Sequence, residues 1–519
     1  MGGRLRIRRR WCLAAACLAA GALPVRADDG AAPGAPAAAR RAVLEDARRA
    51  LAATDADEGC DGPVAAVRAD AAARGLAAAF ALGDAEAFAA IVEATRGRAL
   101  ATALASRAAL RDARKPADLV EADLAAARRV SVAALALRRA RASGRVADVR
   151  AATRALTLAR AERLAAAERL DAAVGCAVHE APPPAPTLST VRAGLGEDGA
   201  LLVAAESDGS VRVLVATRDA ARLVDLGPVE AVDAAIAASA DAASGEGDGG
   251  AACTALAGAL APLALPPTVR RVTIVPDARF ARAPLACAWP ERALTWWPSM
   301  TVARLCAAPA ERGDGVLAVG DPDFGPVSRG GLVRLPATRD EAVAVGDVTL
   351  LGEEATEARL WAALAPGRRW RAVHLATHAF SSGEDARTFS VALAPDERHG
   401  DDGLVSALDA TRHGVCADLV VVAGDRSART SDVAGDGPSG FVTELLRAGA
   451  SGVVGSLGAA DDEATRVLLT RFHALWNPRD EDGLPAAEAL RRAQAHVRGQ
   501  EGWSHPRYWA GWVLWGDPD

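Results

Sequence analysis

The sequence predicts an α/β domain, a sheet with helices on both faces, preceded by an all-α helical bundle or hairpin region. Two patterns carry that prediction. From about residue 189 to the end, short apolar runs alternate with segments of three-and-four spacing, the order that a sheet covered on both faces requires. Between residues 33 and 175 the three-and-four spacing stands alone, with Arg and Asp or Glu opposite the apolar positions. At 519 residues the chain suggests two or three domains, and 51% hydrophobic residues suffice for a sizeable core. A net charge of -6 and a pI near 5.9 argue against nonspecific nucleic-acid binding, which depends on excess cationic charge. Lys115 is the only lysine, so the richness in Ala and Arg reflects coding bias and Arg runs carry less meaning than usual.

Residues 1–27 read as a secretory signal. RLRIRRR supplies a positive start, Trp11 to Leu23 an apolar core, and Val25 and Ala27 suit the cleavage-determining positions. The apolar run is too short for a confident membrane span, which wants about 20 residues. Cys17 in Ala14-Ala-Ala-Cys17 would suit a lipoprotein signal but lacks the usual Leu. Cleavage after Ala27 leaves a protein without a membrane span that is exported to the periplasm, cell envelope or medium, where thiols meet an oxidising compartment. Six cysteines then remain: Cys60, Cys176, Cys253, Cys287, Cys306 and Cys416. Cys60 and Cys176 bracket the helical segment, each beside a Gly at a helix end, and are the disulfide candidate; the other four read equally well as buried thiols.

Residues 28–180 form the helical region, with helices expected over Ala37 to Ala53, Pro63 to Leu82, Ala85 to Ala113, Ala117 to Ser143 and Val146 to Val174. APPPAPTL at 181–188 is a stiff linker. Residues 189–519 then open with three short strands turning at SDGS and TRDA, a loop at Gly245 to Ala252, a helix, and the strand RRVTIVP.

Two apolar runs in this domain end in polar residues. Val373 to Ala376 closes on His378, and Leu419 to Ala423 closes on Asp425. In open α/β sheets the working residues stand just past the carboxyl ends of strands. VHLATHA followed by a strand of this kind resembles the CHAT family, caspase-like cysteine peptidases with a His and Cys dyad. VTIVPDARFARAPLA, WWPSMTVARL, LAVGDPDFG, LLGEEATEARL, SGVVGSLGAADDEAT and HPRYWAGWVLWGDP look like CHAT segments in CHAT order, from about Leu188 to Asp519. The resemblance implies a caspase-like sheet with a working His378. It also places Asp425 where the family has its nucleophilic cysteine. A thiolate is nucleophilic near neutral pH and forms a thioester that water hydrolyses. A carboxylate is a poor substitute, because its tetrahedral adduct expels the carboxylate more readily than the amine. Asp425 beside His378 is expected to form a hydrogen-bonded ion pair instead.

Other candidates are weaker. Cys416 precedes its strand and should sit at the opposite end of the sheet. Ser427 lies two residues past Asp425 without a GxSxG setting. His374 and His378 have the spacing of a helical zinc pair, but on a strand their rings stand ~13 Å apart, so His374 reads as a satisfied core histidine. Asp461 and Asp462 follow the strand at Val453 to Leu457 and could receive a basic substrate side chain; the plainer reading is a helix N-terminus, where carboxylates favour the macrodipole. The family's Trp in this motif is replaced by Gly458. Ser439 reads as the N-cap of FVTELLRA. No GxxxxGK[ST] is present and GDGPSG lacks dinucleotide spacing, so no cofactor is indicated, and no Cys/His spacing suggests a metal. Many CHAT proteins carry tetratricopeptide arrays upstream, but residues 28–180 lack that repeat's aromatic, Gly and Pro positions. The sequence therefore points to a catalytically inactive pseudopeptidase that binds a protein or peptide partner, or alternatively to an active hydrolase pairing His378 with Ser427 or another nucleophile.

Overall fold

The computed structural model describes residues 36–54, 62–106, parts of 118–140, 145–175, and 184–519 except 308–310, 326–331, 366, 381–388, 397–402, 434–435, 460 and 479–481. The signal segment and the Cys60–Cys176 candidate lie outside the described residues. Among the described residues no helix is long and apolar enough to cross a membrane.

Helices α1 (Ala37–Ala53) and α2 (Gly62–Leu82) lie where the apolar spacing puts them. The expected continuous helix from Ala85 is broken into α3 (Ala85–Glu93) and α4 (Arg98–Ala105), because Gly97 takes a left-handed backbone with φ 60. Helix α5 spans Val146–Gly175. Leu44, Leu51, Leu76, Phe88 and Ile91 of the first helices share a core with Leu201, Val203, Leu214 and Val275 of the sheet that follows.

That sheet has eleven strands in the order β3-β2-β1-β4-β5-β16-β15-β12-β8-β6-β7. They are β1 (Gly199–Ser207), β2 (Ser210–Thr217), β3 (Ala221–Pro228), β4 (Arg271–Val275), β5 (Ala293–Trp296), β6 (Val316–Pro322), β7 (Val348–Gly352), β8 (Trp370–Ala376), β12 (Ala417–Val422), β15 (Gly452–Ser456) and β16 (Trp512–Gly516). Strands β7, β6, β8, β12 and β15 run parallel, with a register shift between Gly320 and Pro322 where β6 pairs with β7. Every residue of β8 and of β12 is buried, which is why both read as continuous apolar runs rather than alternating ones. The small strands β9 (Ala379–Phe380), β10 (Ser390–Ala392) and β11 (Leu404–Ser406) form a side sheet, and β13 (Thr430–Val433) pairs with β14 (Gly437–Gly440) as a hairpin.

Helices cover both faces. They are α6 (Leu188–Gly194), α7 (Val229–Ala243), α8 (Gly249–Leu260), α9 (Met300–Leu305), α10 (Pro336–Val345), α11 (Glu357–Ala363), α12 (Ala407–His413), α13 (Phe441–Ala448), α14 (Asp462–Trp476) and α15 (Ala486–Arg498). Val373, Leu375 and Val420 turn to one face and meet Leu360 of α11, Ala410 of α12 and Phe441 and Leu445 of α13. His374, between them in sequence, points the other way to α10 and α14. Helix α8 begins at Gly249, capped by Asp248, so the expected loop is shorter than GEGDGGAA. Helix α13 starts after Gly440, not Ser439. Ser439 pairs with Ser431 in the hairpin, and Thr443 Oγ1 accepts the Gly440 N–H in its place. Gly449 ends the helix as expected, at φ 133.

Among the described residues one disulfide, Cys253–Cys287, joins α8 to the segment after β4; Cys306 is buried and Cys416 exposed. The two bridged residues are among those the sequence left equally readable as unpaired. Their pairing depends on α8 packing beside residues 285–287, a tertiary contact.

Candidate functional site

Three loops meet past the carboxyl ends of β8, β12 and β15. Gly424 is what lets the first two touch: a Cβ added there would stand 2.4 Å from Ala379 Cβ and 3.0 Å from the Thr377 carbonyl oxygen. The third loop is tied in by backbone. Arg426, itself at φ 55, donates its N–H to the Gly458 carbonyl at 2.9 Å, and Ala428 donates to Ser456 at 2.9 Å. Asp425 thus stands exposed at a turn held from both sides.

Ser427, two residues on, is fully buried. Its hydroxyl donates to the Val422 carbonyl at 2.9 Å and accepts the Ser456 N–H at 2.9 Å, so it stitches β12 to β15 from within. Cys416 precedes β12, at the end away from Asp425, with the Arg369 guanidinium 4.0 Å from its sulfur.

His378 is half-buried, but its ring hydrogen-bonds to a group other than the one expected. Nε2 donates to the Val333 carbonyl at 2.6 Å, and the ring leans on Phe324 with centroids 5.8 Å apart. The hydrogen bond expected between this ring and Asp425 is replaced at Nε2 by the Val333 carbonyl, a fixed backbone acceptor held over the ring. With the proton on Nε2, the ring's lone pair is on Nδ1 unless the imidazole is charged.

The acidic pair is shared between the two readings. Asp461 is the N-cap of α14 and accepts the Ala464 N–H at 3.1 Å. Asp462 begins the helix. Burial raises its carboxyl above the ordinary range; Asp461 and Asp425 push the same way, while His378 opposes them. Asp425, Asp461 and His378 therefore all lie close enough for Asp462 to feel their charge.

A second polar cluster, which the sequence did not reveal, lies behind this surface. His374 is completely buried; its Nε2 is 2.7 Å from Glu341 Oε1 of α10, and its Nδ1 is 3.2 Å from His473 Nε2 of α14. Burial pushes Glu341 up to about 8 and His374 down to about 3, and holds His473 well below its ordinary range. The cluster is neutral: the Glu341 carboxyl donates to His374, which donates on to His473. His374 is thus the satisfied core histidine the strand pattern predicts. Glu341 and His473 lie 33 and 99 positions away, with no local motif to link them. Among the described residues no three His, Cys, Asp or Glu side chains gather as a metal site requires.

The CHAT domain family model matches residues 250–517. Among solved structures, separase in the Saccharomyces cerevisiae separase–securin complex aligns at 10% identity and TM-score 0.43, over 71% of this chain and 34% of that one. A second structure of that complex aligns at 15% identity and TM-score 0.33, over 48% of this chain and 15% of the other. The Arg-specific cysteine proteinase gingipain R aligns at 10% identity and TM-score 0.34, over 52% of this chain and 67% of that one. The chain spans about a third or less of the separase chains it matches. No curated protein matches it.

Proposed function

This chain belongs to the CHAT domain family, and on that premise we propose that it is a catalytically inactive member, a pseudopeptidase that binds a protein or peptide at the loops following β8, β12 and β15. The reading is supported by the exposed carboxylate Asp425 at the end of β12, the position that the sequence resemblance aligns with the thiol of the family's dyad. Neither neighbouring nucleophile is placed to replace it. The Ser427 hydroxyl is committed to two buried hydrogen bonds, and Cys416 stands before the strand rather than after it. The ligand class follows from charge. Asp425, Asp461 and Asp462 crowd negative charge beside one imidazole, which favours a segment bearing Arg or Lys. The Cys253–Cys287 bond supports action in an oxidising compartment, in keeping with an exported chain.

The test has two arms. Cysteine- and serine-directed activity probes should leave the protein unlabelled, and a fluorescent peptide library should pass through it uncut. Turnover that disappears on His378→Ala would refute inactivity. Binding of fluorescein-labelled Arg-containing peptides, read by anisotropy, should weaken roughly tenfold on Asp462→Asn, the loss expected of a charge-assisted hydrogen bond of about 1.5 kcal/mol. Affinity unchanged by Asp462→Asn and Asp425→Asn together would place the binding surface elsewhere.

A further inference from the structure

Helix α4 belongs by sequence to the N-terminal helical region, yet its first turn is completed by the other end of the chain. Its N-cap, Gly97, has no side chain to accept the leading N–H groups. The Arg98 and Ala99 N–H groups donate instead to Asp436 Oδ1, at 2.5 and 3.1 Å, across a separation of 338 residues in the first case. The Gly97 N–H donates to the Asp436 carbonyl at 2.8 Å. A second hold lies one residue on. Gly437, at φ 79, is pressed against Arg96, whose Cγ would be 3.2 Å from an added Cβ. Arg96 is itself buried and donates to the Pro276 carbonyl at 2.8 Å. On its far side α4 inserts Leu100, Ala101 and Leu104 into the core that holds Phe441 and Leu445 of α13.

Asp436 immediately precedes β14, the second strand of the hairpin that leads from the Asp425 loop to α13. The first strand, β13, starts directly after Arg429, whose N–H donates to the Arg426 carbonyl at 3.1 Å. If the hairpin moved, α4 would lose its cap and Asp436 would lose three hydrogen bonds, so these distant segments order together. We propose that α4 is an intramolecular latch on the candidate site: Asp436 and Arg96 are positioning residues that hold the hairpin, and through it the Asp425–Arg429 loop, in one arrangement. A protein engaging the N-terminal helices would then change peptide binding without touching the binding surface, a consequence that rests on the proposed binding function.

The latch is tested in the full chain by hydrogen exchange at residues 98–105 and 425–433, comparing Asp436→Ala with Asp436→Asn. Asparagine keeps an acceptor oxygen; alanine does not. The expected result is exchange about fivefold faster in both segments for alanine, the factor corresponding to ~1 kcal/mol of capping, with asparagine close to wild type. Faster exchange confined to 98–105 would reduce Asp436 to a local cap and overturn the proposal. Should the alanine variant fail to fold, Arg96→Ala, which removes the Cγ and Cδ that rest on Gly437, must raise exchange at 425–433 for the proposal to stand. Binding of the Arg-containing peptide should change with Asp436→Ala and recover with Asp436→Asn. A wild-type protein that binds no peptide would defeat the proposed function and leave the exchange result intact.

Discussion

Replacing Glu341 by glutamine changes one thing about the buried cluster, the ability of that group to ionise. The glutamine amide still donates to His374 Nε2. A carboxyl raised from 4.5 to about 8 keeps, in the folded chain, a proton that the unfolded chain has released. Its contribution is therefore fully present below about pH 4.5 and is lost as pH climbs through about 8. In full the shift corresponds to about 5 kcal/mol, most of which falls between pH 5 and pH 8. The histidines act in the opposite sense. With His374 lowered to about 3 and His473 lowered well below its ordinary range, stability falls as pH drops below about 6.5. Charges packed around Glu341 act on it less than burial does: Arg466 lowers it and Asp462 raises it, both on α14. Wild type alone would show these slopes partly cancelling, so the quantity to measure is the difference between the two proteins, from which the histidines drop out. Urea unfolding at a series of pH values, followed by the fluorescence of Trp476, whose ring centroid lies 6.2 Å from that of His473, provides it. The advantage of Glu341→Gln over wild type should grow by about 3–4 kcal/mol from pH 5 to pH 8. A difference that stays flat across that range would mean that Glu341 is ionised throughout, paired with a charged His374, and the neutral cluster would be wrong.

Three further outcomes follow from the packing. Cys253–Cys287 closes a loop of 34 residues, so replacing both by alanine should cost about 4 kcal/mol of unfolding free energy, and an unchanged denaturation midpoint would count against the bond. Asp418 is buried, accepts from Arg371 Nη1 at 3.0 Å and the Gly313 N–H at 2.8 Å, and also pairs with Arg369. Asp418→Ala removes the nearer of the two carboxylates that face the buried Arg371, leaving Asp519 at 3.7 Å, and should cost about 3 kcal/mol, whereas Asp198→Ala, which acts on the exposed Arg271, should cost under about 1 kcal/mol; equal losses would refute the contrast. Ser427→Ala should lower stability by about 1–3 kcal/mol, read by thermal unfolding, and leave peptide affinity unchanged; loss of an activity with stability intact would return Ser427 to the chemistry.

Much of the scaffold was legible because its signals are local. Buried strands such as β8 and β12 have to be apolar along their whole length, and α1 and α5 show their helical spacing residue by residue. The polar ends of the central strands, His378 and Asp425, could be marked for the same reason, since position past a strand follows from the strand. The break at Gly97 was hidden, because an isolated Gly within a helical pattern is tolerated often enough to be passed over.

Which partners those groups take is another matter. His378 donates to Val333, His374 binds Glu341 and His473, and α4 is capped by Asp436; each partner comes from a different element, up to 338 positions away. Amino-acid order alone marked most of the strands and helices and the carboxylate Asp425 just past β12. The pairing of cysteines, the neutral buried cluster and the capped α4 were decided by strand order and helix packing, because short-range spacing says nothing about which side chains meet once the sheet is assembled.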